Sequence, residues 1–406
     1  MRYAFCEKIL SHFAKSEKCM YICSKYKPET VMENPFVIKP YKSKDLFCDR
    51  EKELEIMVTN CLNYSDMTLI SQRRIGKTGL IMRLMDELKE NHSDIATIYF
   101  DIMATRTLDD FIKLFAEAIM KSFKPKTSIG NKFMTLIKSM RPQLTFDNIT
   151  GEPQFQLVYQ SPQEKVQTLQ GLLEFLDSQG IHIVIAIDEF QQIREYPEQN
   201  MEALLRTYIQ HTQNLTFIYC GSKKHMMTDM FVNEKKPFYS STSFVTLKKI
   251  SVESYSSFIK RLFAENGRTI DEDSVHFILD WTRRHTYYTQ MLCHTVFANR
   301  AESIGINDVK DACQQLLSQG ESTYLQYRQL LTAKQWNFLI AIAKEGSVRN
   351  ITSAEFLGKY KIGSPSTASR LVEALLEKGL INDDVTITGT SYELNEVFLS
   401  RWLEKM

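Results

Sequence analysis

Eight residues, Ser71-Gln72-Arg73-Arg74-Ile75-Gly76-Lys77-Thr78, have the types and spacing to grip a polyphosphate. The octet ends in Gly-Lys-Thr, as the pattern G-x-x-x-x-G-K-[ST] requires, and begins with Ser71 where that pattern has glycine. In such a loop, backbone N–H groups converge on phosphate oxygens at a helix N-terminus, where the helix dipole favours anions. Gly76 lets the backbone approach closely, Lys77 would bridge the β- and γ-phosphate oxygens, and the Thr78 hydroxyl would bind Mg²⁺. With Gly79, the octet makes up the main run of candidate nucleotide-binding positions.

A phosphate loop also needs an acid at the end of a neighbouring strand. Asp188-Glu189 closes the apolar run Ile181 to Ile187, about 110 residues downstream. Asp188 would hold the Mg²⁺ shell together with Thr78. Glu189 would orient or deprotonate an attacking water, which makes it the candidate catalytic residue. Ser222, after Gly221 at the end of the run Leu215 to Cys220, is placed to sense the γ-phosphate or the water.

These residues require strands and helices in alternation. Met67 to Ile70 reads as a short buried strand before the loop. Leu80, Met82, Leu84, Met85 and Leu88 give the segment after it a helical apolar face. Ile95–Ile102, the β-branched run before Asp188, Leu215–Cys220 and Phe244–Leu247 supply four further strands. Helical stripes lie between them, at Val166 to Leu176 and at Leu204 to Ile209. The pattern predicts a parallel sheet covered on both faces, with the phosphates at the carboxyl ends of the strands. Residues 124–164 break the alternation with Pro125, Pro142, Pro153 and Pro162, and read as an inserted loop with short helices that touches a partner.

At 406 residues, 43% apolar and 24% charged, the chain has room for two or three globular domains. A net charge of +1 argues neither for nor against a nucleic-acid partner. Eight scattered cysteines without a C-x-x-C pair read as reduced thiols of a cytoplasmic protein. No run approaches 18 apolar residues, so no membrane span is expected. Residues 1–33 form an atypical leader, either an appended helix or sequence preceding a start at Met32.

With the two nucleotide motifs, Asp45-Leu46-Phe47-Cys48-Asp49-Arg50-Glu51-Lys52-Glu53-Leu54 resembles the F-x-G-R-E-x-E-L opening of the archaeal-type ATPases, AAA+/STAND-related P-loop proteins. Arg73-Arg74 match the arginine pair of that family's G-P-R-R-x-G-K-T, and Ile187-Asp188-Glu189-Phe190-Gln191 looks like its acidic strand end. The resemblance implies a five-stranded P-loop core, a helical lid and a C-terminal winged helix, with ATP and Mg²⁺ as ligands and Arg50 at the nucleotide. No N-K-x-D guanine-reading motif follows the acidic strand. The expected domains are 34–250, 251–329 and 330–406. Several positions depart from the family. Cys48-Asp49 replaces a glycine-containing pair. Pro237-Phe238-Tyr239-Ser240-Ser241 is similar to P-[FL]-Y-G-R, with Ser241 where the arginine acting on nearby nucleotide would stand, so that stimulus is not carried over. Arg283-Arg284-His285-Thr286-Tyr287-Tyr288 is similar to G-G-x-P-Y-Y, and Arg284 is a candidate phosphate contact from the lid.

The C-terminal module also reads as a winged helix from its own residues. Trp336, Leu339, Ile340 and Ala343 mark a first helix, and Thr352 with Glu355 a capping box for a second. Ser364-Pro365 open a third, which buries Ala368, Leu371, Val372, Leu375 and Leu376 before Gly379 stops it. A wing hairpin and a last helix with Val397, Phe398 and Trp402 follow, with Asn395 at a position where the family often has aspartate. Residues 330–406 carry nine basic and nine acidic side chains, so DNA recognition by the third helix is weakly supported. The leading expectation is a Mg·ATP-driven conformational switch with slow hydrolysis. A non-hydrolysing adaptor binding DNA or protein, and a DNA-linked regulatory or defence ATPase, are the competing readings. Self-association and a protein partner stay open.

Overall fold

The computed structural model describes residues 33–39, 41–139, 142–146, 153–157, 161–386 and 389–406. The expectations for residues 1–32 lie outside them. Phe36–Met406 forms one compact unit.

Its core runs α1 (Glu51–Leu62), β1 (Met67–Ile70), α2 (Lys77–Asn91), β2 (Ile95–Asp101), α3 (Leu108–Ser122), α4 (Ser128–Ser139), β3 (Pro142–Phe146), β4 (Pro153–Leu157), α5 (Pro162–Asp177), β5 (His182–Asp188), α6 (Met201–Ile209), β6 (Leu215–Gly221), α7 (Lys224–Val232) and β7 (Ser243–Thr246). The five expected strands form one parallel sheet in the order β2-β5-β6-β1-β7. Strand β5 shows why its sequence is so uniformly apolar. Ile183, Ile185 and Ile187 face α3, α5 and α6, while Val184 and Ala186 face α1 and α2. Each fully buried isoleucine contributes about 1.5–3 kcal/mol. The register pairs Asp101 with Asp188 and Ile70 with Gly221. The strand ends are therefore level, and the loops leaving them meet at one edge.

Within residues 124–164, expected as an inserted loop with short helices, helix α4 is present and a pair of strands is added. Helix α4 buries Phe133 and Ile137 in the core and sets Phe133 5.4 Å from Phe175 of α5. Strands β3 and β4 pair as an antiparallel hairpin outside the main sheet. Residues 140–141, 147–152 and 158–160 lie outside the described ones.

The lid comprises α8 (Val252–Glu265), a two-strand contact between β8 (Thr269–Ile270) and β9 (Ser303–Ile304), α9 (Glu272–Trp281), α10 (Thr286–Ala298) and α11 (Ile306–Leu330). The winged helix follows with α12 (Ala333–Glu345), α13 (Ala354–Tyr360), α14 (Pro365–Glu377), β10 (Ile381–Thr386), β11 (Gly389–Leu394) and α15 (Val397–Leu403). Ser364 caps α14 ahead of Pro365, as expected, and Gly379 follows that helix with φ 65°. Helix α13 begins one residue later than the capping box implied: Ser353, not Thr352, accepts the Phe356 N–H.

Lid and winged helix share one continuous apolar core. Phe398 sits 4.8 Å from Tyr288 and 5.3 Å from Trp281, and Tyr324 of α11 sits 5.5 Å from Trp402. Two arginines tie the modules reciprocally. Arg283 donates to Ser400 Oγ and Glu404 Oε1, and Arg401 donates to the carbonyls of Asp280 and Trp281. Among the described residues no helix is long and apolar enough to cross a membrane, and the five described cysteines are buried and unpaired.

Candidate functional site

The phosphate loop leaves β1 and turns into α2. Gly76 adopts φ 108°, a conformation open to glycine, and Gly79 packs so closely under Phe47 that an added Cβ would lie 3.0 Å from its ring. Ser71 is not among the left-handed residues, so the position where the motif has glycine requires none here. The Ile75 side chain turns into the apolar core, leaving its backbone to the loop. Lys77 is 6% exposed and donates to the carbonyls of Ser71 at 3.0 Å and Gln72 at 2.9 Å. The loop is thus folded around its own ammonium group.

The acids lie beside it. Thr78 Oγ1 donates to Asp188 Oδ2 at 2.6 Å, and Tyr99 from β2 donates to the same oxygen at 3.2 Å. Asp188 Oδ1 accepts the Glu189 N–H at 2.9 Å. Glu189 has φ 56°, which turns the chain off the end of β5. Its Oε2 accepts from Ser222 Oγ at 2.7 Å and from Gln191 Nε2 at 2.5 Å. Burial pushes the Asp101 carboxyl up, with Asp188 and Glu189 adding to the effect and the Met103 N–H opposing it. Burial, and then Asp188, push the Tyr99 phenol up.

A cleft of about 820 Å³ opens over these groups. Arg50, Arg73, Arg74, Gly76, Lys77, Thr78, Gly79 and Glu189 border it, together with Tyr99, Asp101 and lid residues Thr286 to Tyr288. Arg50 is 5% exposed; its Nη1 pairs with Glu53, while its buried Nη2 has no hydrogen-bond partner among the described residues. Ser71, Gln72, Asp188 and Ser222 do not border it but hydrogen-bond to the lining residues Lys77, Thr78 and Glu189. Arg284 is the exception. It donates to the Ile250 carbonyl and borders a separate cavity with Arg283 and Arg401, so the structure does not bring it to the loop. With φ 54° and 55°, Arg283 and Arg284 take the left-handed turn, and both border that separate cavity.

Lid and winged helix both engage the loop. His285 Nε2, the Tyr287 N–H and Thr286 Oγ1 donate to the carbonyls of Arg73, Arg74 and Ile75. The His285 ring is buried, and that burial pulls its pKa down to about 4. Arg74 lies 4.6 Å from the centre of the Tyr287 ring and pairs with Glu396 at 3.1 Å. Gln72 donates to Glu393 of β11 at 3.2 Å. Glu393, Glu396, Tyr99 and Gln191 were not singled out by the sequence. The contacts to Glu393 and Glu396 span more than 300 positions, and no local pattern marks them.

Residues 47–292 match the model of an ATPase domain predominantly from Archaea, and residues 322–405 match a probable winged helix domain. The chain belongs to this archaeal-type ATPase family. Among solved structures, the Walker-type ATPase of Pyrococcus abyssi superposes with a TM-score of 0.63 at 19% identity, over 91% of this chain and 99% of that one. The Aeropyrum pernix ORC2 protein in its ADPNP-ADP complexes gives 0.58 at 14% identity, over 92% and 96%. The Aeropyrum pernix ORC1 protein in complex with DNA gives 0.52 at 14% identity, over 92% and 96%. These likenesses show the shared fold. No curated protein matches in sequence.

Within the archaeal-type ATPase pattern, the departures now have physical readings. Asp49, Ser240, Arg283 and Arg284 stand at or beside the family's glycine positions, and all four adopt positive φ between 51° and 61°. Thr286 replaces a proline and adds the donor to the Ile75 carbonyl that proline lacks. Asn395 replaces an aspartate, and its amide donates to the carbonyls of Gly379 and Ile381. Ser241 closes its own turn onto the Phe238 carbonyl and offers no cation.

The residues present fit a Mg²⁺-bound nucleotide. The cleft contains a buried lysine at a helix N-terminus, a hydroxyl–carboxylate pair and an orphaned buried guanidinium nitrogen. Among the described residues, no group of three or more His, Cys, Asp or Glu side chains is arranged to hold a metal.

Proposed function

We propose that this archaeal-type ATPase is a Mg·ATP-driven conformational switch with slow hydrolysis. The observation that carries the reading is the double engagement of the phosphate loop: three successive loop carbonyls are held by the lid, and two loop side chains are held by carboxylates of the winged helix. Whatever seats on the loop acts on both. Because lid and winged helix share one core, they respond as a single body.

Lys77 and the backbone N–H groups of Gly76 to Gly79 would hold the phosphates, and Thr78 with Asp188 would hold Mg²⁺. Bound Mg·ATP supplies the transferable phosphoryl group and the metal charge that neutralises it. Glu189 borders the cleft and would take a proton from water there. Slow turnover is supported by Ser241, which offers no cation, and by Arg284, which faces away.

Calorimetry with Mg·ATP, wild type against Lys77→Ala, tests the site: binding that needs Mg²⁺ and is lost in the variant is expected. Binding that survives Lys77→Ala would overturn the assignment. Phosphate release compared with Glu189→Gln separates the switch from a second reading, a non-hydrolysing adaptor, which predicts the same background rate for both. DNA contact gains little support from the exposed face of α14, where Glu373 and Glu377 accompany Ser366, Ser369 and Arg370.

A further inference from the structure

Gln191 has no part in the roles assigned so far, yet its side chain touches the proposed catalytic acid. It lies in the short helical turn Phe190–Glu195 after β5 and is 1% exposed. Its Nε2 donates to Glu189 Oε2 at 2.5 Å, and Ser222 Oγ donates to the same atom at 2.7 Å. Both donors therefore take one oxygen, and Glu189 Oε1 has no hydrogen-bond partner among the described residues.

The surroundings are built to admit this amide. At Gly221 an added Cβ would lie 2.4 Å from Gln191 Oε1 and 2.5 Å from the Met227 side chain, so only glycine at the end of β6 leaves room. Gln191 Oε1 is itself buried without a hydrogen-bond partner among the described residues. A buried amide with an orphaned acceptor is a poor packing residue; a methionine would fill the space without that cost. What the amide adds is the donor to Glu189.

We infer that Gln191 is a positioning residue for Glu189, acting with Ser222. The two donors pin Oε2 and turn Oε1 toward the cleft, where a water would be met. The inference rests on the hydrolytic part of the proposed function. It concerns orientation of the carboxylate and assigns Gln191 no contact with nucleotide.

The test uses full-length Gln191→Met, Ser222→Ala and Glu189→Gln, plus Gln191→Met combined with Glu189→Gln. Expected are Mg·ATP dissociation constants within about twofold of wild type for Gln191→Met, and a kcat about tenfold or more lower. Ser222→Ala, a milder change in a half-buried position, should lower kcat in the same direction. In the Glu189→Gln background, Gln191→Met should cause no further loss, because its action passes through the missing carboxylate. A purely structural role would lower kcat in both backgrounds. Wild-type turnover no faster than that of Glu189→Gln overturns the hydrolytic reading and this inference with it. A turning-over wild type matched by Gln191→Met, or additive losses in the double variant, overturns this inference alone.

Discussion

Replacing Glu393 and Glu396 together by alanine should tighten Mg·ATP binding. These two carboxylates hold Gln72 and Arg74, side chains of the loop on which the polyphosphate would lie. They thus occupy loop donors and place negative charge beside the seat of an anion. The Arg74–Glu396 pair is 53% and 33% exposed, so solvent screening limits it to about 0.2–1 kcal/mol. The Gln72–Glu393 hydrogen bond, partly buried, adds about 0.5–1.5 kcal/mol. The sum, about 0.7–2.5 kcal/mol, corresponds to a rise in affinity of roughly 3- to 70-fold.

Calorimetric titration with Mg·ATP measures the effect directly. Repeating it at high salt should shrink the gap between variant and wild type, since exposed charges are screened within about 10 Å at 0.1 M. Asp383→Asn, which removes a charge from the same hairpin without an ion pair to the loop, should change affinity less than about twofold. Equal or weaker binding by the double variant would refute the reasoning, because it would mean that the wing and the nucleotide do not compete for the loop.

Two further outcomes follow from the backbone and from buried titration. The His285 pKa is lowered from 6.5 to about 4, first by burial, so the folded state resists a proton that the unfolded chain accepts. Stability should be unaffected by this group above pH 6.5 and should fall by up to ~3 kcal/mol as pH drops from 6.5 to 4. Urea midpoints across that range should show a shallower acid loss in His285→Gln, and an unchanged slope would contradict the assignment. Ser240 has φ 51° and is exposed. Ser240→Gly should relieve about 1–2 kcal/mol of left-handed strain, lose about 0.4–1 kcal/mol to the freer unfolded chain, and raise the unfolding midpoint; a lowered midpoint would count against strain at that turn.

The sheet and the centre of the site could be read from the sequence because their determinants are local. A strand buried on both faces writes a continuous apolar run, and the phosphate loop writes a fixed spacing. What failed to show is non-local or concealed. Pro142 and Pro153 look like loop punctuation, yet each opens a strand of the β3–β4 hairpin, where a missing N–H does least harm. Arg284 has the right charge near the right motif, but its left-handed backbone sends the side chain to another cavity. Gln191 sits two residues from Glu189 in the sequence, and only the turn after β5 shows that their side chains meet.

The departures from the family pattern, taken together, preserve geometry and change chemistry. At Asp49, Ser240, Arg283 and Arg284 the chain keeps the left-handed path and tolerates the strain. At Arg283 the strained backbone carries a guanidinium that ties the lid to Ser400 and Glu404 of the winged helix. Thr286 and Asn395 each add a donor, one toward the loop and one beneath the wing. Ser71 needs no glycine conformation at all. Of these substitutions, Ser241 is the one that removes a charged group on which the family's reaction draws. These contacts join lid and winged helix and couple them to the loop, while Ser241 supplies no cation. Under the proposed function, a chain built this way would hold its nucleotide state for longer, as a switch with slow hydrolysis requires.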